Sequence, residues 1–165
     1  MIRSKTSTKE YRAPPDTALA YAAGIIDGEG CISFSVHRPK DRPSAKYRLG
    51  LSVQMVHLPT LHRLSVILGD RVRPIHRGRS KGNRRDIWRW EVTSHPARRV
   101  ITSLLPYLVT KLPEAHIGLR YYQIMLPVPS RRGRPQEHTE TLNALVTELK
   151  AAKRYEWIHS VKHAK

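Results

Sequence analysis

Two stretches of the chain alternate apolar and polar residues with a period of two, and this pattern limits the fold more than any other feature. In residues 31–37 the apolar positions are Ile32, Phe34 and Val36. In residues 48–55 they are Leu49, Leu51, Val53 and Met55. The intervening residues 38–46 contain two prolines and several charges, which is typical of a hairpin loop. We therefore predict an antiparallel hairpin with one apolar face packed on helices and one polar face.

Helical patterns flank this hairpin and a second one. The first helix is predicted over residues 16–26, with Asp16 as the N-cap and Gly28 or Gly30 as a left-handed C-cap. A second helix begins at Pro59 and ends at Gly69, and a third begins at Pro96. The second hairpin has arms at 71–77 and 86–93, and further helices are predicted over 113–126 and 137–157. This order predicts an α+β fold with one four-stranded antiparallel sheet.

The domain organisation predicted from these patterns has four parts. Residues 1–15 form a basic, flexible N-terminal arm, and residues 16–126 form the core domain. Residues 127–136 form a basic linker, and residues 137–165 form a C-terminal helix and tail. That last helix carries an apolar stripe at Leu142, Leu145, Val146 and Leu149, so it packs on the core or serves as an added DNA-binding helix.

The charge balance points to a polyanionic partner. The chain has thirty Lys and Arg residues and thirteen Asp and Glu residues, which gives a net charge of +17 and a pI of about 10.7. The single cysteine excludes an intramolecular disulfide framework. No apolar run is long enough to span a membrane, and the first residues lack the apolar region of a signal peptide. We expect an intracellular nucleic-acid-binding protein in the cytoplasm or nucleoid, with no membrane partner.

The polar face of the predicted sheet carries groups that can read base edges in a major groove. The alternative is an ordinary solvated sheet face, but the arginines concentrated around the second hairpin argue against it, because Arg binds phosphate and guanine in bidentate fashion. The predicted DNA-binding residues are Ser33, Ser35, His37, Arg48, Ser52, Gln54, Arg73, Arg77, Arg79, Arg84, Arg85 and Arg89.

The first helix ends in two carboxylates, Asp27 and Glu29, where the helix dipole disfavours negative charge. Small residues along this helix would let two copies approach closely about a two-fold axis, which would bring two Glu29 carboxylates together beside phosphates. Carboxylates that converge near phosphates suit Mg²⁺. The alternative is a glycine-rich turn with an exposed acid. The predicted dimer interface comprises Ala20, Ala23, Gly24 and Asp27.

Residues 22–30 read Ala-Ala-Gly-Ile-Ile-Asp-Gly-Glu-Gly and resemble the LAGLIDADG motif, with Glu29 in place of the second Asp. The predicted order of elements over residues 16–126 also follows the fold of the LAGLIDADG homing endonucleases. This resemblance implies an αββαββα core with a saddle-shaped sheet. It implies an intron-encoded, mobile-element hydrolase that cuts both DNA strands at a long pseudo-palindromic site. Because only one motif is visible, it implies a homodimer that uses Mg²⁺ or Mn²⁺, with Ca²⁺ supporting binding without cleavage.

The resemblance also assigns roles to single residues. Glu29 matches the metal-binding acid, and the backbone carbonyl of Gly28 joins it in the metal's coordination shell. His57 matches a polar residue that orders water near the scissile phosphate; alternatively it caps the turn before Pro59. Lys111 matches a lysine that stabilises transition-state charge; alternatively it is a lysine at a helix C-terminus. Arg63 is a further catalytic candidate whose register on the second helix is open.

Two other functions are compatible with the same residues. One is an intron-splicing maturase on this fold, with intron RNA as its partner. The other is a non-cleaving, sequence-specific DNA-binding protein such as a transcriptional regulator, which would require no metal.

Overall fold

The protein folds into one four-stranded antiparallel sheet with five helices, as the computed structural model shows for residues 14–38, 45–75, 86–125 and 136–162. The chain order is α1 (Asp16–Glu29), β1 (Gly30–His37), β2 (Lys46–Met55), α2 (Leu58–Leu68), β3 (Val72–Ile75), β4 (Ile87–Thr93) and α3 (Ser94–Leu104). A short 3₁₀ turn (Leu105–Tyr107), α4 (Leu112–Met125) and α5 (Gln136–Lys162) follow. The strand order is β1-β2-β4-β3. The predicted α+β class and the single four-stranded sheet are confirmed.

The alternation of the strands sets which face is buried. Ile32 pairs with Leu51, and Leu51 pairs with Val92, so these side chains share the inner face of the sheet. Trp90 on β4 is fully buried on the same face. The predicted apolar stripes of α2 (Leu61, Leu64 and Ile67) and α3 (Val100, Ile101 and Leu104) pack on it. The stripe of α5 (Leu142, Leu145 and Leu149) joins the same core mainly by packing on α4. No helix of the described residues covers the outward side chains of the polar face such as His37, Arg48, Gln54 and Arg73, which are exposed.

The first helix passes into the first strand without a loop, and this corrects two predictions about its ends. Pro15 occupies the N-cap position, so Asp16 is the first helical residue and not the cap. At the other end Gly30 is extended, with φ −78°, instead of left-handed. A Cβ at Gly30 would lie 2.4 Å from the backbone oxygen of Ile26, so only glycine permits this direct connection. Glu29 is therefore held at the junction of α1 and the sheet.

The remaining boundaries differ by a few residues from those predicted. β2 begins at Lys46, before the predicted start, because Tyr47 packs inward and extends the alternation. α3 begins at Ser94 instead of Pro96, and α5 continues past residue 157 to Lys162. β3 is limited to four residues within the described chain. The N-terminal arm up to residue 13, most of the first hairpin loop, and residues 76–85 and 126–135 lie outside the described residues.

Candidate nucleic-acid interface and active site

The polar face of the sheet collects every predicted DNA-binding residue that the structure describes. The cross-strand pairs on this face include Ser33 with Gly50 and Ser35 with Arg48 on β1 and β2. Ser52 pairs with Glu91 between β2 and β4. His37, Arg48, Gln54 and Arg73 are exposed. The predicted residues Arg77, Arg79, Arg84 and Arg85 lie outside the described residues.

One row across this face concentrates guanidinium groups. Gln54 on β2 lies opposite Arg89 on β4, and Arg89 lies opposite Arg73 on β3. With its amide oxygen turned toward Arg89, Gln54 accepts hydrogen bonds from Nε at 3.1 Å and Nη2 at 2.6 Å. Arg89 also lies 3.8 Å from the Glu91 carboxylate. Arginines at directly opposite positions repel each other, so this row favours an anionic or guanine-bearing ligand.

At the end of α1, the two motif acids have different surroundings. Asp27 accepts hydrogen bonds from the backbone N–H groups of Val109 at 2.8 Å and Lys111 at 2.9 Å. The Thr110 hydroxyl donates to the Asp27 side chain at 3.2 Å and to its backbone oxygen at 3.1 Å. These donors supply the compensation that a carboxylate at a helix C-terminus needs. Asp27 therefore ties α1 to the segment that precedes α4.

Glu29 is exposed, and its carboxylate has no hydrogen-bond or ion-pair partner within the described residues. It lies two residues beyond Asp27, at the start of the polar sheet face. Gly28 beside it is also exposed. A carboxylate in this setting is available to a ligand that the chain itself does not supply.

Lys111 lies just before α4, and this placement rules out the alternative of a lysine at a helix C-terminus. A cation at the N-terminal end of a helix opposes the helix dipole. Here the side chain is compensated by Glu114 in the first turn of α4, whose Oε1 lies 3.5 Å from Lys111 Nζ. The backbone bond to Asp27 fixes Lys111 near the end of the motif helix, so the structure brings Lys111 and the segment carrying Glu29 together.

His57 and Arg63 are not brought to Glu29 by any hydrogen bond within the described chain. His57 occupies the N-cap position of α2, and its Nδ1 lies 2.7 Å from the Thr60 hydroxyl oxygen. The contact reaches the first turn of α2, while the His57 side chain makes no capping hydrogen bond to the helix backbone. Arg63 is exposed on α2. Their catalytic roles stay predictions.

Some of the predicted dimer residues are exposed, and others are already engaged within the subunit. Ala20 and Gly24 are exposed on α1, next to Tyr21, which is 47% exposed. Ala23 is fully buried in the chain's own core, so its predicted side-chain contact with a second subunit is wrong. The helix turns by about 100° per residue, which places Ala23 with Ala22 and Ile26 on the inner face. Asp27 is occupied by the bonds described above.

Two residues near the site were not singled out from the sequence. Glu114 is almost completely buried, and Lys153 on α5 approaches its second oxygen at 3.6 Å. The Lys111-x-x-Glu114 spacing at a helix start was the available signal for Glu114. No local pattern marks Lys153, because it reaches the site through the packing of α5 on α4.

The described part of the chain holds no cluster of three or more His, Cys, Asp or Glu residues that could by itself bind a metal ion. Within the same residues, no helix combines the length and apolarity needed to cross a bilayer. The candidate site is thus an exposed acid and two lysines at the edge of a basic sheet face.

No family model matches the sequence, and no curated protein matches it. Solved structures match the fold. The homing endonuclease I-CvuI, in complex with the I-CreI target, is 20% identical with a TM-score of 0.57 over 84% of this chain and 94% of that chain. The archaeal intron-encoded homing endonuclease I-Vdi141I, complexed with DNA, is 15% identical with a TM-score of 0.65 over 83% and 84%.

A third structure is a longer chain. The LAGLIDADG homing endonuclease I-GzeII, in complex with its DNA target, is 14% identical with a TM-score of 0.57 over 81% of this chain and 43% of that chain. At these identities the likeness concerns the fold. The chain therefore has the fold of the LAGLIDADG homing endonucleases, as the motif at residues 22–30 predicted.

Proposed function

We propose that the protein is a site-specific, double-strand DNA endonuclease that hydrolyses phosphodiester bonds as a homodimer with a divalent metal ion. One observation carries the proposal: Asp27 binds the backbone of Lys111 at 2.9 Å, which holds a lysine beside the helix end that bears the exposed Glu29. This bond ties the segment that carries Lys111 to the end of the helix that carries Glu29, beside the basic sheet face. The known structures of this fold that are named above are homing endonucleases bound to DNA.

DNA binding is supported by the charge and shape of the polar sheet face. Two subunits carry twice +17, or +34, so phosphate contacts dominate the affinity and make it strongly salt-dependent. The row of Gln54, Arg89 and Arg73 supplies donors that match guanine O6 and N7 in the major groove. When the Gln54 amide oxygen is turned toward Arg89, the hydrogen bonds between the two residues hold the Arg89 side chain in place before DNA binds. This order reduces the entropic cost of binding.

The donor set at the end of α1 fits a hard divalent cation only in part. Glu29 offers an exposed carboxylate, and the Gly28 carbonyl belongs to the last helical turn, whose oxygens lack helical N–H partners. Oxygen donors of this kind suit Mg²⁺ or Mn²⁺, which keep several waters and take further ligands from phosphates. When bound, such an ion lowers the pKa of a water and offsets charge on the phosphate.

The chain's own residues have separate tasks in this proposal. Glu29 and Gly28 hold the cation, and Lys111 places a positive charge where negative charge develops on the scissile phosphate. His57 would orient the attacking water through its ring nitrogen, and Arg63 would approach the phosphate from α2. The bond from Asp27 keeps Lys111 in position before DNA binds.

Homodimerisation is supported by two glycines that the subunit itself does not require. Apart from its neighbours in the chain and the backbone of its own helix, a Cβ at Gly24 or Gly28 would have no described atom within 4 Å. Glycine in a helix interior costs about 0.5–1 kcal/mol relative to alanine. Their presence on the exposed side of α1, beside Tyr21, is explained if a second α1 packs against them.

The experiment begins with selection of a bound DNA site from a random library, followed by a cleavage time course on that site. We expect both strands to be cut with Mg²⁺ and neither to be cut with EDTA. An intron-splicing assay run in parallel tests the maturase alternative. Tight, specific binding without cleavage in any divalent metal would favour a regulator on the same fold and would overturn the nuclease proposal.

A further inference from the structure

Glu114 is a buried carboxylate that the roles assigned above do not use. It is 1% exposed, and it is the only charged residue buried within the described chain. Its position in the first turn of α4 is favourable for an anion. Even so, a buried carboxylate costs several kcal/mol unless cations and hydrogen bonds compensate it. The cations that pair with Glu114 therefore stabilise its buried charge.

Two lysines face this carboxylate, one at each oxygen. Lys111 Nζ lies 3.5 Å from Oε1, and Lys153 Nζ lies 3.6 Å from Oε2. Each oxygen of the Glu114 carboxylate thus has an ammonium group near it. Lys153 is the more accessible of the two, since 34% of its side chain is exposed compared with 15% for Lys111.

The two lysines contact residues that precede and follow Glu29 in the sequence. The backbone of Lys111 binds Asp27, two residues before Glu29. The ammonium group of Lys153 lies 3.2 Å from the sulfur of Cys31, two residues after Glu29. Cys31 is exposed and pairs with Ser52 on the polar sheet face. Lys153 thus reaches the same surface that the DNA is proposed to occupy.

Lys153 lies one turn beyond the buried stripe of α5. Leu142, Leu145 and Leu149 form the buried stripe of this helix. Ala152, three residues after Leu149, continues this stripe against the core, and Lys153 lies beside it, four residues after Leu149. α5 thus places an ammonium group at the edge of its apolar stripe, where it reaches Glu114.

We propose that Lys153 is a second active-site cation, contacting a phosphate next to the scissile bond, and that Glu114 is the positioning residue that holds Lys111 and Lys153 in place. This inference rests on the proposed nuclease function and gives α5 a role in it. Lys153 adds positive charge to a site whose only exposed acid in the described motif segment is Glu29, and so favours phosphate over solvent anions.

The experiment compares Lys153→Met with Lys150→Met, a matched change at an exposed lysine one turn earlier on α5. Single-turnover cleavage at saturating protein is measured on the selected site, and binding is measured in Ca²⁺ across a range of salt. We expect Lys153→Met to slow cleavage about 10-fold or more and Lys150→Met to leave it unchanged. The slope of log affinity against log salt should fall by about one for each phosphate that the variant no longer neutralises. Lys153→Arg should restore the slope.

A cycle with Glu114→Gln tests the positioning role. If Glu114 acts by placing Lys153, the decrease in cleavage rate caused by Lys153→Met should be smaller in the Glu114→Gln background than in the unmodified chain. Equal decreases in both backgrounds would overturn that role.

Outcomes for Lys153 and for the nuclease proposal are separable. Normal cleavage and an unchanged salt slope in Lys153→Met, with Glu29→Gln inactive, would overturn the role of Lys153 and leave the nuclease proposal intact. Binding without cleavage in the unmodified chain, with a reduced slope in Lys153→Met, would overturn the nuclease and retain the phosphate contact. Absence of DNA binding would overturn both.

Discussion

Asp27 and Lys111 are 84 residues apart in the sequence, and the Asp27 carboxylate accepts the backbone N–H of Lys111 at 2.9 Å. The same carboxylate accepts the N–H of Val109 at 2.8 Å. The two acids of the motif therefore differ in their surroundings: Asp27 is hydrogen-bonded inside the subunit, and Glu29 is exposed. The arrangement joins the motif helix to the residues that precede α4.

Replacing Asp27 with alanine should destabilise the subunit and slow cleavage together. The change leaves two backbone N–H groups without their acceptor and releases the segment that carries Lys111. Hydrogen bonds to a charged group contribute about 1.5–3 kcal/mol each, and the site is partly exposed, so we expect a total decrease of about 2 kcal/mol in the free energy of unfolding. Urea denaturation measures it. Asp86→Ala, at an exposed acid outside the helices and strands, is the control, and equal stability of the two variants would contradict the prediction.

The strands and the faces of the sheet could be predicted because alternation is a local property. Ile32, Leu51 and Val53 occupy the buried face that their spacing indicates. The ends of α1 were predicted less well. Its cap depends on whether the next element follows directly, and Gly30 forms a tight connection to β1 instead of a left-handed turn.

The part of the candidate site that could not be predicted depends on contacts between distant segments. Asp27 and Glu29 have the same chemistry and nearly the same position in the motif, so only the placement of residues 109–111 separates their roles. Ala23 and Gly24 are likewise adjacent small residues, and the direction of α1 against the core decides which one is buried. Lys153 reaches the site only because α5 folds back on α4.

Gly24→Leu should convert the protein into folded monomers with little double-strand cleavage. The position is open within the described subunit, since no atom outside the helix's own backbone and the adjacent residues lies within 4 Å of an added Cβ. Leucine also favours the helix over glycine. A bulky side chain there prevents two α1 helices from approaching closely. Sedimentation velocity measures the assembly, with Thr102→Leu on the exposed side of α3 as the control. A stable monomer of the unmodified chain that cuts both strands would contradict the homodimer proposal.

Alanine substitutions on the polar sheet face should relax sequence preference at a few base pairs each. The four positions are Arg48, Gln54, Arg73 and Arg89. A good bidentate base contact contributes about 1–3 kcal/mol of discrimination, so its removal should lower discrimination about 5- to 150-fold at the contacted pair. Binding to a panel of single-base variants of the selected site measures this. Arg99→Ala on α3 removes the same charge away from the sheet face. If the substitutions weaken binding equally to every sequence, the polar face contacts only phosphates and does not read bases.

Stability should fall in alkaline solution through Tyr122. Burial is the main cause that raises the pKa of Tyr122 from 10.0 to about 12; nearby Tyr121 raises it further, and Arg98 lowers it. The folded state therefore keeps the phenol protonated while the unfolded chain ionises, so this stability is present below pH 10 and is lost as the pH rises toward 12. The hydroxyl also donates to the backbone oxygen of Ser94, whose φ is +57°.

The measurement is urea unfolding of the unmodified chain and of Tyr122→Phe at a series of pH values. Tyr122→Phe should be less stable by about 1 kcal/mol at neutral pH, because the Ser94 oxygen loses its donor. Its stability should then fall less steeply than that of the unmodified chain between pH 10 and 12. Parallel curves over that range would show that Tyr122 ionises equally in the folded and unfolded states.

Glu29→Gln should abolish cleavage and leave specific binding nearly intact. The amide keeps the shape of the side chain but removes the negative charge that attracts a divalent cation. Binding depends on the sheet face and the arginines, and Glu29 makes no bond within the described residues that the fold would lose. Removing two carboxylates beside phosphates should even tighten binding slightly, because like charges no longer repel. A gel shift in Ca²⁺ and a cleavage time course in Mg²⁺ on one selected site measure both effects. Asp86→Asn controls for the removal of a surface charge, and cleavage by Glu29→Gln at close to the unmodified rate would place the metal site elsewhere.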